Sequence, residues 1–330
     1  MSDRTFSIVI PSFNREKEVG RAIRSGLSQM SDDGEIIVVD DCSTDRSVEA
    51  VRPFLKDPRV RLVENTTNQG EWGARAAGIA AASGEWIILL DSDDEIMPGG
   101  LPSILAGIRS HGKSFERLGF GYLCDNGTHT PFPEASEPTV LDFAGYVKWY
   151  AHSSRSDALW VTRRETFATV PVPAGRSDHG RPEALCATLL YTFRFHSVYR
   201  SMLLPALAGA VHLDSANRQT TATLVYGEEA LARAREEAVI FETLLAKYGS
   251  RILQIEPALH FQFSRARLTT LLLGGDRRAA FGEWKSMLQH HRHANSLVLG
   301  LLIAIGPTNA YRLRERHRQR RNDRVSTSAA

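Results

Sequence analysis

Up to Asp94 the chain alternates unbroken apolar runs with segments whose apolar residues recur at helical spacing. The runs at 6–10, 35–39 and 85–90 are short and rich in isoleucine, valine and leucine, the pattern of strands buried on both faces. A shorter strand is expected at 60–63. Proline ends the first run at Pro11-Ser12-Phe13-Asn14-Arg15, and a helix follows with Val19, Ala22, Ile23 and Leu27 on one face. Further helices are expected over 45–56 and, rich in alanine, over 73–82. The order β-α-β-α-β-α-β predicts an α/β fold: an open, mainly parallel sheet with helices on both faces and right-handed crossovers.

After Tyr226 the pattern becomes helical throughout, over 228–248, 257–273, 277–291 and 296 to about 320. Gly249, Gly274-Gly275 and Gly306-Pro307 punctuate it. The middle two segments read as a helical hairpin. His290, His291 and His293, beside Arg292, read as a solvated basic helix end. The apolar stretch 297–305 is too short to cross a bilayer, which takes roughly 20 residues. Arg312, Arg314, Arg316, Arg318, Arg320, Arg321 and Arg324 follow it, which fits a segment lying on an anionic membrane face over 296–324. A core helix with a basic tail accounts for the same residues, and both readings stay open.

Two strands end in carboxylates. One closes on Asp40-Asp41 and the other on Asp91-Ser92-Asp93-Asp94. Charge this dense repels itself unless a divalent cation or a ring of donors neutralises it. An acidic turn capping the next helix is the plain alternative for a lone D-x-D. Two acidic strand ends in one sheet favour a shared cleft, because ligands of open α/β sheets bind beyond the carboxyl ends of the strands.

Composition narrows the field. The 330 residues carry a net charge of +2, and the basic tail lacks interleaved aromatics, so nucleic acid is not an expected partner. Cys42, Cys124 and Cys186 are too few and too scattered for a disulfide framework. No apolar leader precedes the first strand, and a cytoplasmic location is expected, with peripheral contact at the inner membrane face under the first tail reading. The first loop is not G-x-G-x-x-G, and no G-x-x-x-x-G-K-[ST] occurs, which excludes a dinucleotide-dependent dehydrogenase and a P-loop enzyme.

Four stretches together carry a resemblance. They are Ile10-Pro11-Ser12-Phe13-Asn14-Arg15, Val39-Asp40-Asp41-Cys42-Ser43-Thr44-Asp45, Asn68-x-Gly70-x-x-x-Ala74-Arg75-x-x-Gly78 and Gly84-Glu85-Trp86-Ile87-Ile88-Leu89-Leu90-Asp91-Ser92-Asp93-Asp94. In order and spacing they resemble the motifs of family 2 glycosyltransferases, strongly over 5 to about 100 and weakly in the helical tail. The resemblance implies a GT-A fold with a C-terminal all-helical extension, a nucleotide-diphosphate sugar donor (a UDP-sugar), Mg²⁺ or Mn²⁺, and inversion at the anomeric carbon. It divides the chain into a transferase domain over 1–225 and a helical region over 226–330. Within the domain, 1–110 would bind the nucleotide sugar and 111–225 the acceptor.

Carried onto this chain, the resemblance sets Pro11 and Phe13 against base and ribose, and Asp41 on the ring N–H of a uracil-like base. Asp40 would orient the turn. Arg75 would bring positive charge to the phosphates or the acidic cluster, with Asn68 and Ser92 also on the donor. The family usually has Asn after this arginine, where Ala76 stands here. Asp91 and Asp93 of the D-x-D motif would hold the metal, with Asp94 behind them. The general base is an Asp or Glu near a helix start; Glu183 is the first candidate and Asp178 the competitor. His212 is a candidate for the pyrophosphate or metal. Trp149, Tyr150 and Trp160 could stack sugars or fill core.

The resulting expectation is an inverting, metal-dependent glycosyltransferase acting on a glycan or lipid-linked acceptor in bacterial cell-envelope polysaccharide synthesis. A catalytically decayed GT-A-fold binding protein is the competing class. A sugar nucleotidyltransferase is a further alternative, although its glycine-rich, arginine-containing first loop is absent.

Overall fold

The structure is a computed structural model that describes residues 4–130, 137–153, 158–173, 184–212 and 228–291. The chain divides into two compact units, Met1–Thr221 and Ala222–Ala330.

The first unit opens with β1 (Phe6–Ser12), α1 (Val19–Leu27), β2 (Gly34–Asp40), α2 (Ser47–Val51), β3 (Val60–Glu64), α3 (Gly70–Ala81) and β4 (Trp86–Leu89). It continues with β5 (Glu95–Ile96), α4 (Gly100–His111), β6 (Arg117–Cys124), β7 (His129–Thr130), β8 (Thr139–Leu141) and α5 (Phe143–His152). The last elements are β9 (Leu159–Arg163), α6 (Thr166–Thr169), α7 (Ala184–His196) and β10 (Ser201–Val211). Among the described residues the strands form one ten-stranded sheet in the order β3-β2-β1-β4-β9-β6-β10-β5, with β7 on β6 and β8 on β10. The strands β3, β2, β1 and β4 are mutually parallel, as the sequence predicts. The strand β9 inserts antiparallel between β4 and β6, and β10 runs parallel to β6.

Burial on both sides explains the unbroken apolar runs. Ile8 and Ile10 of β1, Ile36 and Val38 of β2 and Ile88 of β4 face one way, onto Val19, Ala22 and Ile23 of α1 and Leu101 and Ile104 of α4. Val9, Ile37, Val39 and Ile87 face the other way, onto Ala74 of α3. Alternate residues of one strand thus belong to two cores. The helix expected over 45–56 is split: α2 ends at Val51 and a 3₁₀ turn covers Arg52–Lys56, with Pro53 near its start. Proline has no N–H for the α-helical ladder, and the tighter turn results.

The helix α3 lies unusually close to the sheet, and Gly78 is the reason. A β-carbon built there would sit 2.3 Å from Val9 Cγ1 and 3.1 Å from Val39 Cγ2. Gly78→Ala is therefore expected to lift α3 from the strands and destabilise the fold by roughly 1–3 kcal/mol, the usual cost of overpacking. A chemical melt measures it, and an unchanged midpoint at unchanged denaturant slope would show that the contact relaxes freely.

The second unit comprises α8 (Glu228–Ile255), α9 (Pro257–Leu273) and α10 (Arg277–His290). Gly249 does not end α8 as the sequence suggests; the helix runs through it to Ile255, with Leu244, Tyr248 and Ile252 buried along one side. Tertiary burial outweighs the roughly 1 kcal/mol that glycine costs a helix. The break comes at Glu256, ahead of Pro257, in a non-helical conformation of the kind that proline imposes on its predecessor. The hairpin of α9 and α10 turns at Gly275, where φ is +87°, and the Asp276 side chain caps α10 by accepting from Ala279 N. His291 is a correction: it is buried, and its Nε2 lies 2.9 Å from His260 Nδ1, so it is no solvated terminus. Burial and the neighbouring imidazoles push the His260 pKa down to about 4. The tail 296–324 and His293 lie outside the described residues. Among the described residues no helix is long and apolar enough to cross a membrane.

Candidate active site

Parallel pairing sets three strand ends side by side. Ser12 of β1 is the register partner of Asp40 in β2, the Asp41 amide donates to Ser12 O at 2.8 Å, and the Leu90 amide donates to Val9 O at 3.0 Å. Asp41 and the Asp91 turn therefore leave the sheet on either side of the loop after β1.

That loop is clasped to the one after β2. The Asn14 amide donates to Ser43 Oγ, Asn14 Oδ1 accepts from Thr44 N, the Arg15 amide donates to Ser47 Oγ and the Glu16 amide to Asp45 Oδ2. Asn14 and Cys42 take left-handed backbone angles, φ +54° and +67°, to make the clasp. Burial of Asp45 would raise its pKa, but hydrogen bonds from Ser47 and from the Glu16 amide hold it below the usual carboxylate range. The Ser-Thr-Asp part of the motif is thus a loop lock. Pro11 is buried beneath the clasp, and Phe13 stands out of it, 39% exposed.

Asp41 is 2% exposed. Its Oδ1 accepts from Asn65 Nδ2 and from Gln69 N, both at 2.8 Å, which leaves Oδ2 for a further donor. Asp40 has a different job: Oδ2 accepts from Ser43 N, while Oδ1 and the neighbouring Ser12 Oγ are buried without partners among the described residues. Asn68 Oδ1 accepts from Gly70 N at 3.1 Å and so starts α3 at Gly70, where φ is +75°.

From α3 the Arg75 guanidinium reaches Asp91 Oδ1 at 2.6 Å and Glu71 Oε1 at 2.7 Å, and it lies over the Trp72 ring at 4.6 Å. Burial alone would lower the Arg75 pKa; the two carboxylates outweigh it and raise the value. Asp93 Oδ2 lies 3.7 Å from Arg15, and Asp93 O accepts from Arg21 at 2.7 Å. Ser92 and Asp94 are buried in the turn, and the Asp94 amide donates to Asp91 O. Arginines from the first loop, α1 and α3 thus gather round the acidic turn.

Sequence reasoning missed Arg21 and Glu95. The short strand β5 pairs antiparallel with β10, Ala210 opposite Glu95, and this brings His212 to the acidic turn from far along the chain. His212 Nε2 lies 2.7 Å from Glu95 Oε1, and Arg21 Nε lies 3.2 Å from the same oxygen. Only the acidic run extending one residue beyond Asp94 hinted at Glu95. Glu183 and Asp178 lie outside the described residues; α7 begins at Ala184. Trp149 and Trp160 pack edge to face, and Tyr146 touches Trp149 and Tyr150, in a cluster with Phe193 of α7. Among the described residues no group of three or more His, Cys, Asp or Glu side chains is arranged to hold a metal ion.

The parallel strands with their clasped loops, the antiparallel insertion of β9 and the acidic turn after β4 define a GT-A fold. Residues 7–167 match Glycosyl transferase family 2, and the chain carries a domain of that family. The succinoglycan biosynthesis protein ExoO of Rhizobium meliloti is 46% identical over 99 residues, 30% of this chain and 28% of that protein. The Escherichia coli UDP-Glc:alpha-D-GlcNAc-diphosphoundecaprenol beta-1,3-glucosyltransferase WfgD is 39% identical over 94 residues, 28% of this chain and 37% of that protein. The matched stretch thus spans well under half the length of these relatives. Among solved structures, Staphylococcus aureus TarS 1-349 in complex with UDP-GlcNAc aligns with a TM-score of 0.59 at 17% identity, covering 87% of this chain and 91% of that one. At that identity the likeness speaks for the fold.

Proposed function

We propose that the protein is an inverting glycosyltransferase that moves a sugar from a UDP-sugar to a hydroxyl of a glycan or lipid-linked acceptor in bacterial cell-envelope polysaccharide synthesis. The observation that carries this reading is the pairing of an anchored acceptor, Asp41, with an arginine-ringed acidic turn at neighbouring strand ends. The part of ExoO in succinoglycan biosynthesis, the UDP-glucose donor of WfgD and the UDP-GlcNAc bound by TarS support the choice of donor and process. The reading sets the enzyme on the cytoplasmic side of the membrane, with 296–324 as the segment suited to its anionic face.

Uracil presents one imide N–H, and a buried carboxylate with one oxygen already tied down offers its other oxygen at a fixed place. The exposed face of Phe13 suits the base or ribose. Asp91 and Asp93 supply hard oxygen donors that fit Mg²⁺ or Mn²⁺, which take few carboxylates and complete their shell with phosphate oxygens and water. When bound, such a cation offsets the charge that grows on the departing diphosphate. Arg75 and Arg15, which pair with Asp91 and Asp93, would exchange part of that pairing for phosphate oxygens. The acceptor oxygen then forms its bond to the anomeric carbon as the bond to the diphosphate oxygen breaks. Its proton passes to a carboxylate, which we assign to Glu183, with Asp178 as the alternative. His212, oriented by Glu95, stands ready on the diphosphate side of the turn.

The deciding experiment is a screen of UDP-, GDP- and dTDP-sugar hydrolysis with and without Mn²⁺. Turnover of a UDP-sugar that rises with Mn²⁺ supports the reading; a folded chain that binds UDP but turns over no donor points to the decayed binding protein. Asp41→Asn would set an amide N–H₂ against the imide donor. Losing a charged hydrogen bond costs roughly 1.5–3 kcal/mol, so UDP should bind about tenfold to a hundredfold more weakly by calorimetry. An unchanged affinity would remove Asp41 from base recognition.

A further inference from the structure

Arg117 opens β6 at the edge away from the acidic turn, and it is 2% exposed. Among the described residues no carboxylate pairs with it, and its Nη1 is buried without a partner. A buried guanidinium lacking a counter-ion is costly, and a residue kept at such cost invites a reason. Its charge meets aromatic faces instead, with Cζ 3.8 Å from the Phe195 ring centroid, 5.1 Å from Tyr191 and 5.3 Å from Trp160. The guanidinium fork makes two directed bonds, Nε to Thr162 Oγ1 at 3.0 Å and Nη2 to Tyr191 Oη at 2.9 Å. That geometry fixes the Tyr191 hydroxyl of α7 against β9.

Tyr191 also meets Trp72 of α3, with ring centroids 5.5 Å apart and planes at 51°. Trp72 carries Arg75 on its own ring, and Arg75 holds Asp91. Trp72, Tyr191, Phe195 and Val170 form a separate buried cluster between α3 and α7. One continuous set of contacts therefore runs Asp91, Arg75, Trp72, Tyr191, Arg117, from the donor-binding turn to the helix that directly follows Glu183 in the chain.

We propose that Tyr191, in contact with both the Trp72 ring and the Arg117 guanidinium, is a positioning residue for sugar transfer that locks α7 to α3 and so couples the donor-binding turn to the helix that follows Glu183 in the sequence. The inference rests on the glycosyltransferase reading above. Arg75 touches both Asp91 and the Trp72 ring, and Trp72 in turn packs on Tyr191, so a change of partner at Asp91 bears on Tyr191 through two contacts. The lock thereby sets α7 according to whether the donor turn is filled. A misplacement of about 1 Å at the reacting groups is worth on the order of a hundredfold in rate.

The test uses the full chain with UDP as the probe, reading hydrogen–deuterium exchange in α7 alongside UDP calorimetry and hydrolysis of UDP-glucose and UDP-GlcNAc. In the wild type, saturating UDP should slow exchange across α7. Tyr191→Phe and Trp72→Leu should abolish that protection while leaving UDP affinity within a few-fold, and lower kcat for hydrolysis about tenfold to a hundredfold with donor KM unchanged. Trp72→Phe, which retains a ring against Tyr191, should restore most of both. Wild-type α7 that ignores bound UDP, or variants with wild-type protection and kcat, would overturn the proposal. Variants in which UDP affinity and kcat fall together would overturn it as well, because that pattern marks a residue of the donor site. A wild-type chain that binds no UDP would fail at the earlier step, taking the donor assignment down with the lock.

Discussion

Asp93→Ala is expected to abolish sugar transfer while the protein melts as before. The Asp93 carboxylate lies 3.7 Å from Arg15, too far for a direct hydrogen bond, and it shares its turn with Asp91 and Asp94, so its removal also relieves like-charge repulsion. Its place in the turn is held by the backbone, through the bond from Arg21 to Asp93 O, which alanine keeps. Under the proposed function, what the substitution removes is a carboxylate of the cation and diphosphate site. Loss of one preorganised stabiliser of transition-state charge typically costs on the order of 10²- to 10³-fold in kcat. Mn²⁺-dependent binding of UDP by calorimetry should weaken in parallel, and Asp93→Asn should behave similarly because an amide oxygen carries no full charge. Turnover within a few-fold of wild type would exclude Asp93 from the chemistry and shift attention to Asp91, whose Oδ1 already engages Arg75 at 2.6 Å.

Glu183→Gln should nearly silence the enzyme for a different reason, with donor affinity preserved. Removing a general base costs roughly 10²- to 10⁴-fold, and glutamine keeps the shape of the side chain while losing the proton acceptor. The pH profile separates this from a structural effect. In the wild type, kcat should fall on the acid side as the carboxylate becomes protonated; in the variant that limb should vanish. A fully active Glu183→Gln enzyme would transfer the role to Asp178, which Asp178→Asn then checks by the same two measurements.

Much of the first unit was legible in the chain because its signals are local. Ile8 and Ile10 against Val9, or Ile36 and Val38 against Ile37, declare two buried faces in a few residues. Asn14, Ser43-Thr44-Asp45 and Gly78 all stood inside the quoted motifs, but the clasp and the close approach of α3 to the sheet show only in the structure. What escaped was decided by pairing across long stretches of sequence. Nothing near Leu159 says that β9 will enter antiparallel between β4 and β6. Glu95 went unremarked in the sequence, and its setting follows from β10 bringing His212 against it. Arg117 stands at the head of an ordinary strand, and only the rings of α7 reveal its setting. Gly249 misled because a helix buried along one side tolerates a residue that would weaken it in isolation.

The insertion of β9 bears on how the protein is made. Every recognised donor motif has left the ribosome once Asp94 emerges, yet β4 then has only β1 beside it, and its outer backbone edge stays bare until Leu159–Arg163 arrives. A nascent chain halted between those points carries an apolar strand with unsatisfied amides and carbonyls, the arrangement that recruits other chains into aggregates. Truncation after the motif-bearing segment should therefore yield inclusion bodies in place of a minimal nucleotide-binding fragment.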